Sequence, residues 1–187
     1  MTKHDRGFTL IEMIIAVALF ATVMLIAVGS LLALVGANRK AQALQSVMNN
    51  LNIALDGMVR SIRMGSDYHC GLGTYTAPLE CPTGDTIFAF EAFGGSAANP
   101  TDQWIYKYDP DTKRIYKSED AGSHLYAITA PSVVIDNMKF YVVGTDRGDT
   151  TQPKVVITIK GTAGVPGTKT ETTFSMQATA VQRLLDL

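Results

Sequence analysis

Glu12 is the residue whose chemistry most needs a partner. It closes the run Gly7-Phe8-Thr9-Leu10-Ile11-Glu12 and opens onto Met13 to Asn38, a stretch with no charged residue and no proline. At about 1.5 Å rise per residue, its roughly 26 residues reach across a hydrocarbon core of about 30 Å with length to spare. By insertion scales for Asp, Lys and Arg, a charge near the bilayer centre costs on the order of 2.5 to 3.5 kcal/mol, and less toward the interface. A carboxylate there persists where it gains a compensating charge.

Cys70 and Cys81, the only cysteines, carry a second chemistry. If the segment that holds them lies outside the cytoplasm, an even count favours a disulfide, with free thiols as the alternative that redox compartment decides. Closing about a dozen residues contributes on the order of 2 to 3 kcal/mol. His69 adjoins Cys70, but His4 and His124 are distant, and two cysteines with one histidine at this spacing match no zinc pattern. Trp104, Tyr106, Tyr108 and Tyr116 interleave with Lys107, Lys113, Arg114 and Lys117, a pattern able to stack and hold a nucleic-acid strand. Strand alternation, however, puts Trp104, Tyr106 and Tyr108 on one face and Ile105 and Lys107 on the other, which describes a half-buried hairpin with a wet basic side. Arg147-Gly148-Asp149 sits among Gly, Asp and Thr and reads as a turn. No nucleophile, base and orienting group occur as a set, and no phosphate-binding glycine loop is present. No catalytic residue, cofactor or metal is expected.

The elements that position these residues begin with one long helix. Beyond the apolar stretch, Leu44, Met48, Leu51, Leu55, Met58 and Ile62 recur three and four apart, with Gln42, Gln45, Asn49, Asn50, Asn52, Asp56, Arg60 and Arg63 as the polar residues of the other faces. The pattern predicts a helix from about Phe8 to Met64, roughly 85 Å long, apolar all round in its first half and wet on one face in its second. Gly65 is expected to stop it in a left-handed conformation, with Arg60 and Arg63 complementing the dipole. An ordinary signal peptide has an apolar core of about 7 to 15 residues, and this one is too long.

About 120 residues then remain, enough for one small domain. Residues 65–187 read as a β-rich head, with strands over Asp85 to Phe93, Gln103 to Tyr108, Arg114 to Lys117, Val133 to Ile135, Met138 to Val143, Lys154 to Lys160 and Thr170 to Val181. Turns are expected at Asp109-Pro110-Asp111-Thr112-Lys113, at residues 144–149 and at residues 161–167. The expected fold class is α+β, with an antiparallel sheet covering the amphipathic half of the helix. The net charge of −1, which becomes −2 without Lys3, Asp5 and Arg6, gives no bulk attraction to nucleic acid.

Gly7, Phe8, Thr9, Leu10, Ile11 and Glu12, behind a short charged leader and ahead of an apolar helix, resemble the N-terminus of type IV prepilins and pseudopilins. The resemblance implies a leader of residues 1–7 cut after Gly7 by a prepilin peptidase, N-methylation of Phe8, and packing of helices into a filament core. Its implied partners are other major and minor pilins and an inner-membrane assembly platform. In such a bundle Glu12 meets the amine of Phe8 on a neighbour; the alternatives are a place at headgroup level or pairing with its own amine. The membrane-spanning half is placed at about residues 13–37. Where many major pilins carry a proline, this chain has Gly29-Ser30, which allows either a local bend or a close helix contact with Ala33. Ala54 to Met64 and the β-rich head are similar to minor pilins and to J-type pseudopilins of type II secretion. The implied location is the inner membrane, single-pass, head outside, although Lys3 and Arg6 are opposed by Arg39 and Lys40. A membrane-anchored binding or adhesive module that never polymerises is the rival reading.

Overall fold

A computed structural model describes residues 7–96, 98–146, 151–165, 167–168 and 171–183. One helix, α1 (Leu10–Met64, 55 residues), precedes nine strands. They are β1 (Ser66–Cys70), β2 (Cys81–Asp85), β3 (Ile87–Glu91), β4 (Trp104–Asp109), β5 (Arg114–Ser118), β6 (Tyr126–Ala127), β7 (Val134–Val143), β8 (Lys154–Ala163) and β9 (Thr172–Val181). The α+β expectation holds, but the head contains two antiparallel sheets rather than one. Strands β1-β3-β4-β5-β6 form the first and β2-β7-β8-β9 the second. Arg147-Gly148-Asp149 lies outside the described residues.

α1 runs through Gly29-Ser30 without a break, and Ser30 donates its hydroxyl to the Ile26 carbonyl at 2.9 Å. The amphipathic stripe is buried from Leu51 to Ile62 as its spacing requires, but Val47 enters the core in place of Met48, which stays half-buried: Val47, Leu51, Ala54, Leu55, Met58 and Ile62 are buried. All of these but Ala54 share one core with Phe88 and Phe90 of β3, Tyr106 and Tyr108 of β4, Phe140 of β7 and Ile157 and Ile159 of β8. Fully burying each such side chain contributes about 1.5 to 3 kcal/mol. Polar contacts fix the helix's register on the sheets. Tyr68 donates to the Ile62 carbonyl at 2.7 Å, Asn50 accepts from the Ala130 N–H at 3.1 Å, and the Ser61 and Tyr106 hydroxyls bond at 2.8 Å. Burial pushes the Tyr106 phenol up to about 12, against the opposing hydrogen bond from Ser61.

Gly65 ends the helix for a different reason from the one expected. Its φ of −86° and ψ of 174° are extended, not left-handed. A Cβ there would stand 2.3 Å from Phe90 Cδ2 and 2.7 Å from the Glu91 carbonyl oxygen, so glycine is needed to let the chain pass beside β3. The strand expectations also shift. Residues 133–135 and 138–143 merge into the single strand β7, with a register irregularity between Ile135 and Asn137, and β8 continues to Ala163. The outer face of β4 is not simply wet, because Ile105 packs with Ile87, Ala89 and Tyr75 in a second small cluster.

Cys70 of β1 and Cys81 of β2 form a disulfide, and because β1 and β2 belong to different sheets, the bond ties the sheets together. The intervening loop is held at its base by the Cys70 and Leu79 amides, which donate to the carbonyls of Leu79 and Tyr68. Glu80 extends this anchorage by accepting the backbone N–H groups of Gly144 and Thr145.

Glu91, at the end of β3, is only 3% exposed. One carboxylate oxygen accepts from Gln103 Nε2 at 3.1 Å and the other has no hydrogen-bond partner among the described residues. Burial, and then the neighbouring charge of Asp102, raise its pKa, while the Gln103 bond acts the other way. A carboxyl whose folded pKa exceeds its unfolded value adds stability below the unfolded pKa and loses it as pH rises through the folded one. Glu91→Gln should therefore raise the thermal midpoint of the full chain in detergent at about pH 7 and leave it little changed at about pH 4, where the wild-type group is largely protonated. Equal shifts at both values would contradict the titration. Reducing the disulfide should cost on the order of 2 to 3 kcal/mol in urea unfolding, as expected for a loop of about a dozen residues.

Candidate processing and assembly site

The helix start is built by its own side chains. Thr9 is the N-cap, with φ −79° and ψ 152°, and its Oγ1 accepts the Glu12 N–H at 3.3 Å. Glu12 returns the contact, accepting the Thr9 N–H on Oε2 at 3.5 Å, so the pair forms a capping box. A helix otherwise leaves its first N–H groups without partners, and a threonine cap contributes about 0.5 to 2 kcal/mol. Carboxylate charge in the first turn also complements the positive end of the helix dipole. The sequence carries this signal as Thr9-Leu10-Ile11-Glu12, a threonine with a glutamate three residues later, and the reading of Glu12 as a charge-pairing group passed over it.

Gly7 and Phe8 lie before the cap, outside the helix, and Phe8 is 79% exposed. Among the described residues nothing stands within 4 Å of a Cβ placed on Gly7, and its φ is not in the left-handed region. Neither packing by the described residues nor the backbone calls for glycine at position 7.

From Met13 to Val35 every residue of α1 is exposed, including Ile14, Leu19, Phe20, Leu25, Ile26 and Leu31. The helix is long and apolar enough to cross a membrane, and none of its most apolar stretch is buried by the described residues. Exposed apolar surface of this extent requires lipid or other protein to cover it.

The other residues singled out in the sequence fall elsewhere. Tyr106 and Tyr108 face the core, and Tyr108 donates to the Ile135 carbonyl at 2.8 Å. Lys117 Nζ stands 3.4 Å from the centroid of the Trp104 ring and 2.6 Å from Glu119 Oε1. Two of the aromatic and basic side chains that a nucleic-acid strand would use are thus engaged with each other. His69 is buried, with Nδ1 2.7 Å from the Ala77 carbonyl and its ring edge-on to Tyr75. Among the described residues, no three His, Cys, Asp or Glu side chains gather as a metal site.

A cleft at the far end of α1 was not legible in the sequence. It is lined by Asp56, Val59, Arg60, Arg63, Met64 and Arg183. Arg183 reaches it because its backbone N–H donates to the Arg63 carbonyl at 2.8 Å, which ties the end of β9 to the end of the helix. Arg60 and Arg63 also lie where the helix dipole favours cations.

Neither curated proteins nor solved structures gave a match when compared with the chain. The family comparison reaches only the N-terminal segment, from the charged leader into the apolar half of α1. Residues 2–28 match the family model described as the prokaryotic N-terminal methylation motif, and over that segment the chain is type IV pilin-like.

Proposed function

We propose that the chain is a minor subunit of a type IV pilus or of the pseudopilus of type II secretion. In this reading a prepilin peptidase cuts between Gly7 and Phe8, Phe8 is N-methylated, and the subunit waits in the inner membrane with its head outside the cytoplasm. Assembly follows through α1 with other major and minor pilins on an inner-membrane platform. The observation that carries the reading is a helix whose first half buries none of its apolar surface, opening on a Gly7-Phe8 bond that lies outside the helix beside an exposed Phe8. Such a helix can be held by lipid before assembly and by neighbouring helices after it, with its apolar side chains covered in both states. The role is structural, not enzymatic.

One observation favours the rival, a membrane-anchored binding module that does not polymerise: Glu12 already has a partner in its own chain, the Thr9 N–H. Two substitutions separate the roles. Glu12→Val removes both the capping acceptor and the charge, whereas Glu12→Gln removes the charge and retains an acceptor, since glutamine also completes a capping box. Charge pairing with the Phe8 amine of a neighbour predicts that both variants insert in the membrane and both lose filament incorporation. Wild-type incorporation of Glu12→Gln would leave capping as the whole role of the residue.

The processing step has its own test. Mass spectrometry of the mature protein should find Phe8 at the N-terminus with one added methyl group. Gly7→Val should abolish that processing while leaving the thermal unfolding of the head unchanged, because no described residue of the head packs on position 7. A mature chain that keeps Met1 would favour the plain anchor.

A further inference from the structure

We propose that the tip of the β8–β9 hairpin is a membrane-surface contact that seats the head on anionic phospholipid headgroups beside Arg39 and Lys40. The inference rests on the reading of α1 as membrane-inserted and adds the surface on which the head stands before extraction.

The level of the bilayer is set by α1 itself. Its uncharged stretch ends at Asn38, and Arg39 and Lys40 are the first charges beyond it. Charged side chains at the end of a spanning segment stay in the headgroup layer, where long stems reach the interface. That layer is about 5 to 8 Å thick on each side of the hydrocarbon. Ala43, one turn beyond Arg39, stands only about 6 Å farther along the axis.

The hairpin tip stands beside the helix at this level. Arg39, Ala43, Gly164, Val165 and Thr168 line one cleft, so the described residues of the tip lie at the height of Arg39. Lys40 is half-buried. β9 leads away from the tip to Val181, and the chain just beyond it is bonded to Arg63 at the far end of α1. The tip is therefore the membrane-facing end of the second sheet, and Lys154, paired with Val181, is at the opposite end.

The described residues of the tip are held in a turn. Gly164 and Gly167 take φ of +97° and +75°. Thr168 donates its hydroxyl to the Val165 carbonyl at 2.7 Å, and Glu171 accepts the Gly167 N–H at 2.7 Å. The Glu171 carboxylate is thereby turned into the turn. Val165 remains 61% exposed, an apolar side chain on a polar loop with no core to enter. An apolar residue flanked by Arg39 and Lys40 suits the headgroup boundary of an anionic leaflet, where basic residues near the surface are attracted.

The test uses the full chain in vesicles of phosphatidylethanolamine and phosphatidylglycerol containing a lipid with a nitroxide on its headgroup. Single cysteines, Val165→Cys, Lys154→Cys and Leu25→Cys, are labelled with an environment-sensitive fluorophore while the native disulfide stays oxidised. The proposal predicts severalfold stronger quenching at position 165 than at position 154, and weaker quenching at 165 in vesicles of phosphatidylcholine with the same nitroxide lipid. Leu25→Cys should be quenched by an acyl-chain nitroxide. If it is not, the membrane-inserted reading fails and the proposal with it. If it is, but position 165 is quenched no more than 154, the proposal alone is overturned. Equal quenching at 165 in both lipid mixtures would overturn the anionic assignment. Disulfide crosslinking of unlabelled Val165→Cys between copies, without lipid quenching, would assign the tip to a second copy of the chain.

Discussion

Burial of the first half of α1 is the constraint on which the rest of the structure depends. A helix satisfies its own backbone, which is why an apolar segment of this length can live in lipid, but it leaves its side chains needing an apolar environment. From Met13 to Val35 the chain supplies none. Its second half is the opposite case: from Val47 to Ile62 the inward stripe is covered by two sheets of its own head. One continuous rod is thus finished at one end and unfinished at the other. The boundary falls near Arg39 and Lys40, where the first charges beyond the apolar stretch appear and the hairpin tip lines a cleft with the helix.

The head is organised to grip the finished half firmly. The two sheets share one core, and the helix lies against both through apolar packing and through hydrogen bonds in which Asn50 and the Ile62 carbonyl accept and Ser61 pairs with Tyr106. The Cys70–Cys81 bond ties the sheets near the start of the head, and Arg183 ties the end of β9 to Arg63. Both links involve chain that enters or leaves the head close to the helix end.

The helix was legible because its signal is redundant: an apolar run, then a stripe at helical spacing from Leu44 to Ile62, with no proline to interrupt either. The longer strands were legible by their alternation, which the burial of β8 follows closely. β2 was not. Cys81-Pro82-Thr83-Gly84-Asp85 contains a proline and a glycine, and Gly84 takes a φ of +79° where a Cβ would meet Tyr141 at 2.7 Å. Its strand character comes from pairing with β7, a tertiary cause that local sequence does not encode. Gly65 shows the same limit: glycine at a helix end suggested a left-handed cap, and the real demand is the ring of Phe90. At the candidate site the position of Gly7, Phe8 and Glu12 was readable, whereas the reciprocal bonds of Thr9 and Glu12 were present in the sequence as a capping pattern and overlooked.

Glu12 joins the local and the collective accounts. In the single chain its carboxylate caps α1; in a bundle of such helices the same group, surrounded by apolar side chains, would be neutralised by a neighbour's terminal ammonium. The two roles use different features of the residue, its acceptor oxygens and its charge. The most direct measurement is a high-resolution structure of the assembled fibre. The account predicts a Glu12 carboxylate within about 4 Å of the Phe8 nitrogen of an adjoining subunit. A carboxylate directed into bulk water, with no ammonium group beside it, would contradict it.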